Sequence, residues 1–363
     1  MKQLYFTVTN DLTYDQRMHR ICHSLAAEGY NVTLVGRELK HSIVLDKKAF
    51  HQKRLRCFFN TGFLFYAEYN IRLFFFLFFK RMDCICAIDL DTILPCLFIS
   101  KIKSIRRVYD AHEYFTELKE VKSNPRVQQA WLAIEKFAVP KFKFGYTVSG
   151  GLAEQFSRNY QRQYLVIRNM PVAKTLDARV KKEKVLLYQG AVNEGRGFEY
   201  LIPAMQMISY PLIICGDGNF MHQLQGLIAK YNVADKIELK GMLLPAQLWS
   251  IAQTASLGIA LAEREGLNQL LALPNKFFDY IQAGVPQVAM NYPEYEIINN
   301  QFEVAVLLDE LTPEAIANTI NQLMKNSDLL EKLEQNCMKA RTVFCWQNED
   351  VKLINFYKEI FEN

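Results

Sequence analysis

The sequence of 363 residues predicts an α/β protein made of two doubly wound, Rossmann-like domains with parallel sheets. Apolar strand-like runs alternate with helix-like segments over the whole chain, which is typical of parallel sheets covered by helices on both faces. The strand-like runs are nearly continuous in apolar residues, as in strands that are buried on both faces. A polar and charged stretch at residues 169–184 separates the two halves.

The predicted elements follow in order along the chain. Strands are predicted at 4–9, 32–35, 84–88, 107–109, 146–148, 185–188, 212–215, 237–239, 257–260, 287–289 and 304–307. Helices are predicted at 14–28, 64–80, 91–103, 125–138, 150–159, 197–208, 219–231, 245–253, 275–283 and 313–325. We place the domain boundary at Pro171, which gives domains 1–170 and 171–345. Ligands of such sheets bind beyond the carboxyl ends of the strands, so two facing domains predict an active site in an interdomain cleft.

The composition excludes several classes of protein. The chain is 50% hydrophobic and 22% charged, as expected for globular domains with sizeable cores. Its eight cysteines are scattered and form no CxxC pair, which favours reduced thiols in a cytoplasm. Residues 1–8 indicate a strand rather than a signal peptide. The longest apolar run, 73–79, is far shorter than the roughly 20 residues of a membrane-spanning helix.

The charge is divided unevenly along the chain. Residues 1–182 hold 30 Lys and Arg against 16 Asp and Glu, whereas residues 183–363 hold 13 against 22. The basic half suits an anionic membrane, a nucleic acid or a phosphorylated acceptor, although a merely solvated basic face also explains it. The aromatic segment 63–79 belongs to this half. It forms either a buried helix face or a membrane-interface face, and its polar residues favour the core.

Three loops of the second half follow predicted strands. Gly190–Gly197 opens a helix, so its glycines allow close approach of a ligand, and Arg196 can contact a phosphate there. Cys215–Gly218 repeats this arrangement, although a simple βα turn explains it as well. Glu263–Gly266 supplies carboxylates for sugar or ribose hydroxyls, or is only a surface loop.

The segment Pro274–Pro286 has the signals of a short capped helix. Pro274 suits the first turn, Gly284 suits the C-cap, and the apolar face is Phe277, Tyr280 and Ile281. Lys276 and Asp279 lie near the N-terminus, where free N–H groups attract anions. A cation for a phosphate and a carboxylate for ribose hydroxyls suit a nucleotide. The alternative is a surface helix with an ion pair between these two residues.

The first half offers fewer candidates. His112 lies at the carboxyl end of a predicted strand between acidic residues that can tune its pKa. Asp15-Gln16-Arg17 opens the first helix. Asp89-Leu90-Asp91 matches a metal-binding DxD triplet, but such triplets are common by chance and we discount this one.

In their order, these motifs resemble those of the retaining glycosyltransferases of family 4, the group 1 glycosyltransferases, which have the GT-B fold. The resemblance covers nearly the whole chain. The segments that carry it are 15–18, 25–26, 29–35, 109–113, 147–149, 166–169, 190–197, 216–218, 265–266 and 274–286. It implies a second domain that binds a nucleotide-sugar, a first domain that faces the acceptor, and a C-terminal helix, 346–363, that crosses back to the first domain.

The resemblance also implies residue roles. His112, Arg196 and Lys276 are the catalytic candidates: Arg196 takes the position of the family's lysine on the diphosphate, and His112 contacts the transferred sugar or distal phosphate. The family's companion arginine is Ala191 here, and Lys276 or Arg17 is expected to compensate. Asp279 replaces the glutamate that binds the ribose. The other substrate-binding candidates are Asp15, Arg17, Gly190, Asn193, Gly195, Gly197, Gly216, Asp217, Gly218, Glu265, Gly266, Leu267 and Asn275.

We therefore expect a metal-independent retaining glycosyltransferase with a UDP- or GDP-type donor and no cofactor. The expected acceptor is a saccharide or a lipid-linked molecule in cell-surface polysaccharide synthesis. The expected location is the cytoplasm, at the inner face of the membrane, with peripheral contact through the basic half. A non-catalytic nucleotide-sugar-binding subunit is the alternative, motivated by Ala191. Nucleic-acid binding is not expected, because no recognised motif supports it.

Overall fold

The structure, a computed structural model, describes residues 1–362 except Tyr14, Ala178, Arg179, Glu265 and Ala272. Its contacts divide the chain into two compact units. The first unit comprises Met1–Asn169, Gly266–Asn268 and Glu349–Asn363, and the second comprises Met170–Glu265 and Gln269–Asn348. Each unit has a parallel sheet and a hydrophobic core of its own.

The first unit is built on a seven-stranded sheet of order β3-β2-β1-β4-β5-β6-β7, and every neighbouring pair is parallel. Its strands are β1 (Gln3–Thr7), β2 (Asn31–Glu38), β3 (His51–Arg56), β4 (Cys84–Ile88), β5 (Arg106–Ala111), β6 (Phe144–Thr147) and β7 (Leu165–Val166). Its helices are α1 (Gln16–Ala27), α2 (Gly62–Phe78), α3 (Ile93–Lys103), α4 (Lys119–Lys122), α5 (Pro125–Ala138) and α6 (Gly150–Tyr160).

The second unit is built on a six-stranded parallel sheet of order β10-β9-β8-β11-β12-β13. Its strands are β8 (Glu183–Gln189), β9 (Leu212–Cys215), β10 (Ile237–Gly241), β11 (Ala255–Ala260), β12 (Gln287–Met290) and β13 (Ala305–Leu308). The later helices are α7 (Phe198–Ala204), α8 (Met221–Lys230), α9 (Pro245–Thr254), α10 (Leu267–Leu271), α11 (Asn275–Gln282), α12 (Pro293–Phe302), α13 (Pro313–Lys325), α14 (Ser327–Val343) and α15 (Trp346–Glu362).

Helix α1 shows how local sequence produces these elements. The Asp15 carboxylate accepts a hydrogen bond from Met18 N at 2.9 Å and so caps the helix N-terminus. The predicted stripe of Met18, Ile21, Cys22 and Leu25 is fully buried, because these positions recur at helical spacing on one face. Capping and burial together fix where the helix begins and which face it turns to the sheet.

The predicted fold class is confirmed: both sheets are parallel and flanked by helices. All eleven predicted strands are present within a few residues of the expected bounds. Strands β3 and β7 were not predicted. The sequence of β3 is His51-Gln52-Lys53-Arg54-Leu55-Arg56, which contains no apolar run. This strand lies at a sheet edge, where an apolar run is not needed.

Each sheet reverses its strand order once. In the first unit the reversal lies between β1 and β4, and in the second unit between β8 and β11. The crevice outside the carboxyl ends of the strands at such a point is the usual ligand site of an open α/β sheet. The loop after β8 and the segment after β11 therefore mark the candidate site of the second unit.

Candidate functional site

The two glycine loops of the second unit are bound together by hydrogen bonds. Gly190 N donates to Cys215 O at 2.9 Å, Val192 N donates to Asp217 O at 3.0 Å, and Phe220 N donates to Val192 O at 2.9 Å. The Asn193 side chain accepts from Asn219 N at 3.2 Å. Asn193 and Asp217 thus lie in one double loop at the carboxyl ends of β8 and β9.

Gly216 is the position where this double loop requires glycine. A Cβ on Gly216 would lie 1.8 Å from Gly190 O, and its φ of +151° belongs to the region that other residues rarely adopt. A Cβ on Gly218 would similarly lie 2.2 Å from Val192 O. These two glycines are therefore explained by the packing of one loop on the other, whether or not a ligand approaches them.

Helix α11 begins at Asn275, as predicted, and ends at Gln282, with Pro274 in the N-cap position rather than in the first turn. Gly284 follows the helix with a φ of +66°, as a C-terminal glycine does. The predicted apolar face is fully buried, and Phe278 and Gln282 are buried as well. The reason is that the helix packs between the sheet and α14, so it has two inner faces.

Lys276 lies on the inner side of α11 instead of on the surface. Its side chain is only 7% exposed, and Nζ lies 3.5 Å from the centroid of the Tyr188 ring. A Cβ on Gly190 would lie 3.7 Å from Lys276 Cε, so the amine is beside the first glycine of the loop. Burial, with a further contribution from the Arg196 charge, holds the pKa of Lys276 well below its usual value.

Asp279 is held by a residue that the sequence analysis missed. Gln189, the last residue of β8, donates from Nε2 to Asp279 Oδ2 at 3.1 Å. The Tyr280 hydroxyl accepts from Gln189 N at 3.1 Å and donates to Leu187 O at 2.8 Å, which fixes the helix against the strand. The surface ion pair between Lys276 and Asp279 is therefore not the interaction that orients these side chains.

The loop after β11 reaches the glycine loop through its first acidic residue. Glu263 N donates to Gly195 O at 3.0 Å, and Glu263 Oε2 would lie 3.9 Å from a Cβ on Gly195. Glu265, the acidic candidate of this loop, lies outside the described residues. Gly266 and Leu267 group with the first unit, where the adjacent Asn268 accepts from Tyr114 N at 2.8 Å.

The first-unit candidates are joined by a buried carboxylate. Asp110 is completely buried and contacts Arg17 Nη2 at 3.0 Å and His112 Nε2 at 2.8 Å. Arg17 is 5% exposed and also donates to Ile167 O at 3.1 Å. The charge of Arg17 is therefore already balanced inside this unit, and the Asp15 carboxylate is occupied as the cap of α1. Their roles toward a substrate stay predictions.

The discounted Asp89-Leu90-Asp91 triplet lies beside His112. Asp89 Oδ1 accepts from His112 N at 2.8 Å, and Oδ2 lies 3.8 Å from His112 Nδ1. Burial raises the pKa of Asp89 to about 8 and that of Asp91 to about 6. Burial alone would lower the pKa of His112, but the neighbouring carboxylates, Asp110 first, raise it above its usual value.

These contacts show what sequence reasoning missed. Asp89, Asp110 and Gln189 each lie at or just beyond the carboxyl end of a strand, which is the one sequence signal that could have selected them. Within the described part of the chain, no three His, Cys, Asp or Glu side chains are grouped so that they could hold a metal ion.

Most of the second half of the chain matches a known protein family. Residues 175–340 match the sequence model of the family described as "Glycosyl transferases group 1". This segment contains the double loop, Arg196, Lys276 and Asp279. The predicted resemblance is confirmed there. No curated protein gives a significant match to the sequence.

Solved structures resemble the whole chain. Sucrose-phosphate synthase from Thermosynechococcus elongatus is 17% identical with a TM-score of 0.78, and the match covers 100% of both chains. Anabaena HepE in complex with UDP and glucose is 12% identical with a TM-score of 0.75, over 99% of this chain and 100% of HepE. WaaG, a glycosyltransferase involved in lipopolysaccharide biosynthesis, is 15% identical with a TM-score of 0.72, over 96% and 98%. The shared architecture is the GT-B fold.

Proposed function

We propose that this chain, whose residues 175–340 belong to the group 1 glycosyltransferases, is a metal-independent, retaining glycosyltransferase. Its donor is a nucleotide-sugar of the UDP or GDP type. Its acceptor is a saccharide or a lipid-linked molecule in the synthesis of cell-surface polysaccharide. The UDP and glucose held by HepE and the role of WaaG in lipopolysaccharide biosynthesis support the choice of donor and acceptor class.

One observation carries the proposal. Two basic side chains and a positioned carboxylate lie at the strand-order reversal of the second unit: Arg196 in the glycine loop, Lys276 beside Gly190 of that loop, and Asp279 beside β8. Cations beside a glycine loop suit a diphosphate, and a carboxylate fixed by a neighbouring amide suits the two hydroxyls of a ribose.

The chemistry follows from where charge develops. When the bond to the anomeric carbon breaks, the leaving nucleoside diphosphate gathers negative charge. Arg196 and Lys276 stabilise that charge, which is the contribution that electrostatic preorganisation makes to such reactions. The leaving phosphate accepts the proton of the acceptor hydroxyl, so no pair of catalytic carboxylates is needed. His112, held by Asp110 and Asp89, is the proposed contact of the transferred sugar or distal phosphate.

The test removes the charged groups separately. Arg196→Ala and Asp279→Ala are each expected to weaken nucleotide-sugar binding or turnover by at least about tenfold, as loss of a charged hydrogen-bonding group does. Binding is measured by calorimetry with UDP, GDP and their sugars, and turnover by released nucleotide. Lys230→Ala and Asp328→Ala, which change exposed charges of the same unit, are the matched controls. Unchanged binding and turnover in both site variants would contradict the proposal.

A second function, a non-catalytic nucleotide-sugar-binding subunit of a glycan synthase, is favoured by one observation. Ala191 is exposed at the position where the family carries a second phosphate cation. An enzyme is expected to release free nucleotide slowly from its donor even without an acceptor. Tight donor binding with no release in the presence of any acceptor tested would favour the subunit.

We also propose a peripheral membrane contact through α2 and α3. Helix α2 buries Phe65, Tyr69, Leu73 and Leu77 in the core, as favoured from the sequence, but its other face is exposed. Phe63 is 82% exposed, Phe75 58% and Phe79 78%. Lys103 of α3 lies over the Phe78 ring at 5.7 Å. In the part of the chain that the structure describes, no helix is long and apolar enough to cross a bilayer.

The membrane proposal predicts binding that depends on anionic lipid, because each Lys or Arg near such a surface adds about 1 kcal/mol. The protein is expected to sediment with vesicles that contain phosphatidylglycerol and not with pure phosphatidylcholine. Phe75→Ser with Phe79→Ser is expected to abolish this sedimentation, whereas Phe137→Ser, an exposed aromatic on α5, leaves it intact. Equal sedimentation of all three proteins would refute the contact.

A further inference from the structure

Lys276 is a buried amine without a hydrogen-bond partner among the described residues. Its Nζ faces the Tyr188 ring at 3.5 Å, and its Cε lies beside Gly190. An aromatic face attracts a desolvated cation by about 2 kcal/mol or more, but it offers no acceptor atoms to replace the hydrogen bonds that the three N–H donors make in water. The amine therefore lies next to the proposed diphosphate position with its donors unused.

Among the residues that the structure describes, no negative charge contributes to the pKa shift of Lys276. Arg196, whose charge helps to lower the pKa of Lys276, has the same sign. Burial raises the pKa of Tyr188 and Tyr295, so their hydroxyls stay neutral. Asp279 lies one turn further along α11, where Gln189 binds its carboxylate. A buried ammonium without a counter-charge is costly, and the usual response of such a lysine is to lose its proton.

We propose that Lys276 is a neutral amine in the unliganded protein and takes up one proton when a nucleoside diphosphate binds beside it. This inference rests on the proposed function and states how its binding site acquires the second cation that Ala191 does not provide. The proton passes from solvent to the lone pair of Nζ, and no other bond is made or broken. The site thus has the positive charge of a protonated Lys276 only when the anionic ligand is bound.

Coupled protonation has a measurable consequence. Nucleotide affinity falls as the pH rises through the window between the lowered pKa of free Lys276 and its higher pKa in the complex, with a slope that approaches tenfold per pH unit. A guanidinium is not deprotonated in proteins and so contributes no such dependence. The pH dependence is therefore assigned to the lysine and not to the arginine.

The experiment counts protons directly. UDP and GDP are titrated into the full-length protein by calorimetry at pH 8.5, in two buffers that differ in ionisation enthalpy. A terminal phosphate has its second pKa at about 6, so the free nucleotide has no proton to exchange at this pH. We expect uptake that approaches one proton per nucleotide bound. Lys276→Met is expected to bind at least about tenfold more weakly and with no such uptake.

Two further variants make the result decisive. Lys276→Arg, whose guanidinium is always charged, is expected to bind without proton uptake and with a flatter pH profile. Lys230→Met is the matched control, because Lys230 also lies over a tyrosine ring, at 5.2 Å from Tyr231, but is exposed. It is expected to match the wild type.

The outcomes separate the two claims. Nucleotide binding by the wild type without proton uptake, or equal uptake by the wild type and Lys276→Met, would overturn the inference and leave the glycosyltransferase proposal standing. Failure of the wild type to bind either nucleotide would remove the proposed function and the inference together. Circular dichroism of each variant shows that a loss of binding is not a loss of fold.

Discussion

Asp110 connects the two other charged groups at the carboxyl end of β5. It is completely buried between Arg17 and His112, and both neighbours lower its pKa although burial alone would raise it. Such a group stabilises the fold only while its partners are present, because an unpaired charge in the interior is strongly unfavourable. The sequence showed an acidic residue near a histidine, but not that the same carboxylate also neutralises Arg17.

Asp110→Asn is therefore expected to destabilise the first unit by about 3–5 kcal/mol, as removal of one partner from a buried pair does. Urea unfolding measures the change, and Asp46→Asn, at an exposed position of the same unit, serves as control. A loss below about 1 kcal/mol would show that Arg17 and His112 find other partners.

The raised pKa values of Asp89 and His112 predict how stability varies with pH. Both groups bind a proton more tightly in the folded than in the unfolded protein, so stability falls as the pH rises. For Asp89 the fall lies between about pH 4, the unfolded value, and about pH 8.

Asp89→Asn is expected to flatten this fall, because the asparagine oxygen still accepts from His112 N but does not ionise. Thermal unfolding of both proteins at several pH values between 4 and 9 measures the difference. The midpoint of the variant is expected to rise relative to wild type as the pH increases. A constant difference across that range would mean that Asp89 titrates as an ordinary carboxylate.

At the scale of elements, the double loop of the second unit shows that one glycine pattern can have two structural causes. Gly216 and Gly218 were candidates for ligand contact, yet backbone atoms of Gly190 and Val192 occupy the space their side chains would need. Glycine spacing in a sequence does not distinguish approach of a ligand from approach of another loop. The Cys215–Gly218 loop therefore affects the candidate site by fixing the position of the Gly190–Gly197 loop.

Gly216→Ala is expected to destabilise the second unit by more than about 2 kcal/mol and to weaken nucleotide binding, since a Cβ would lie 1.8 Å from Gly190 O. Gly226→Ala is the matched control in the interior of α8, where a Cβ meets nothing within 4 Å. It is expected to stabilise by about 0.5–1 kcal/mol. Chemical unfolding measures the stability of both variants, and nucleotide calorimetry measures their binding. Equal changes in the two variants would contradict the packing argument.

Two of the elements that were not predicted, β3 and α14, share a cause. Strand β3 is basic and partly exposed at a sheet edge, and α14 carries its core contacts on the spaced residues Leu333, Cys337 and Ala340 within a charged segment. Neither has the apolar run by which the other elements were recognised. Their stability comes from neighbours, β2 for the strand and α11 for the helix, which no local pattern records.

At the scale of the molecule, the two units have separate cores and opposite charge balance. Because the two units have separate cores, a ligand that binds the second unit is expected to raise the stability of that unit first. The basic surplus of residues 1–182 lies in the unit that exposes the aromatic face of α2. The proposed nucleotide site and the proposed membrane contact therefore lie in different units.

Calorimetric unfolding with UDP or GDP at about 100 times its dissociation constant is expected to stabilise the binding unit by about 2.7 kcal/mol, or about 5–10 °C. The transition of the second unit is expected to move and that of the first to stay. Asp279→Ala at the same nucleotide concentration is the control with a smaller shift, because tenfold weaker binding reduces the stabilisation to about 1.4 kcal/mol. A shift in the unfolding transition of the first unit alone would show that the nucleotide binds the first unit, and would contradict the proposed site.

The sequence by itself determined the fold class, eleven strands in order, and the charged residues of α11, because apolar periodicity and helix signals are local properties of the chain. Only the tertiary structure decided what those residues contact. It buried Lys276 over Tyr188, bound Asp279 to Gln189, paired Arg17 with Asp110, and placed the Asp89 carboxylate beside His112. These contacts join residues that lie 23 to 93 positions apart along the chain. The order of the strands in the sheets brings these residues together, and no local sequence pattern predicts that order.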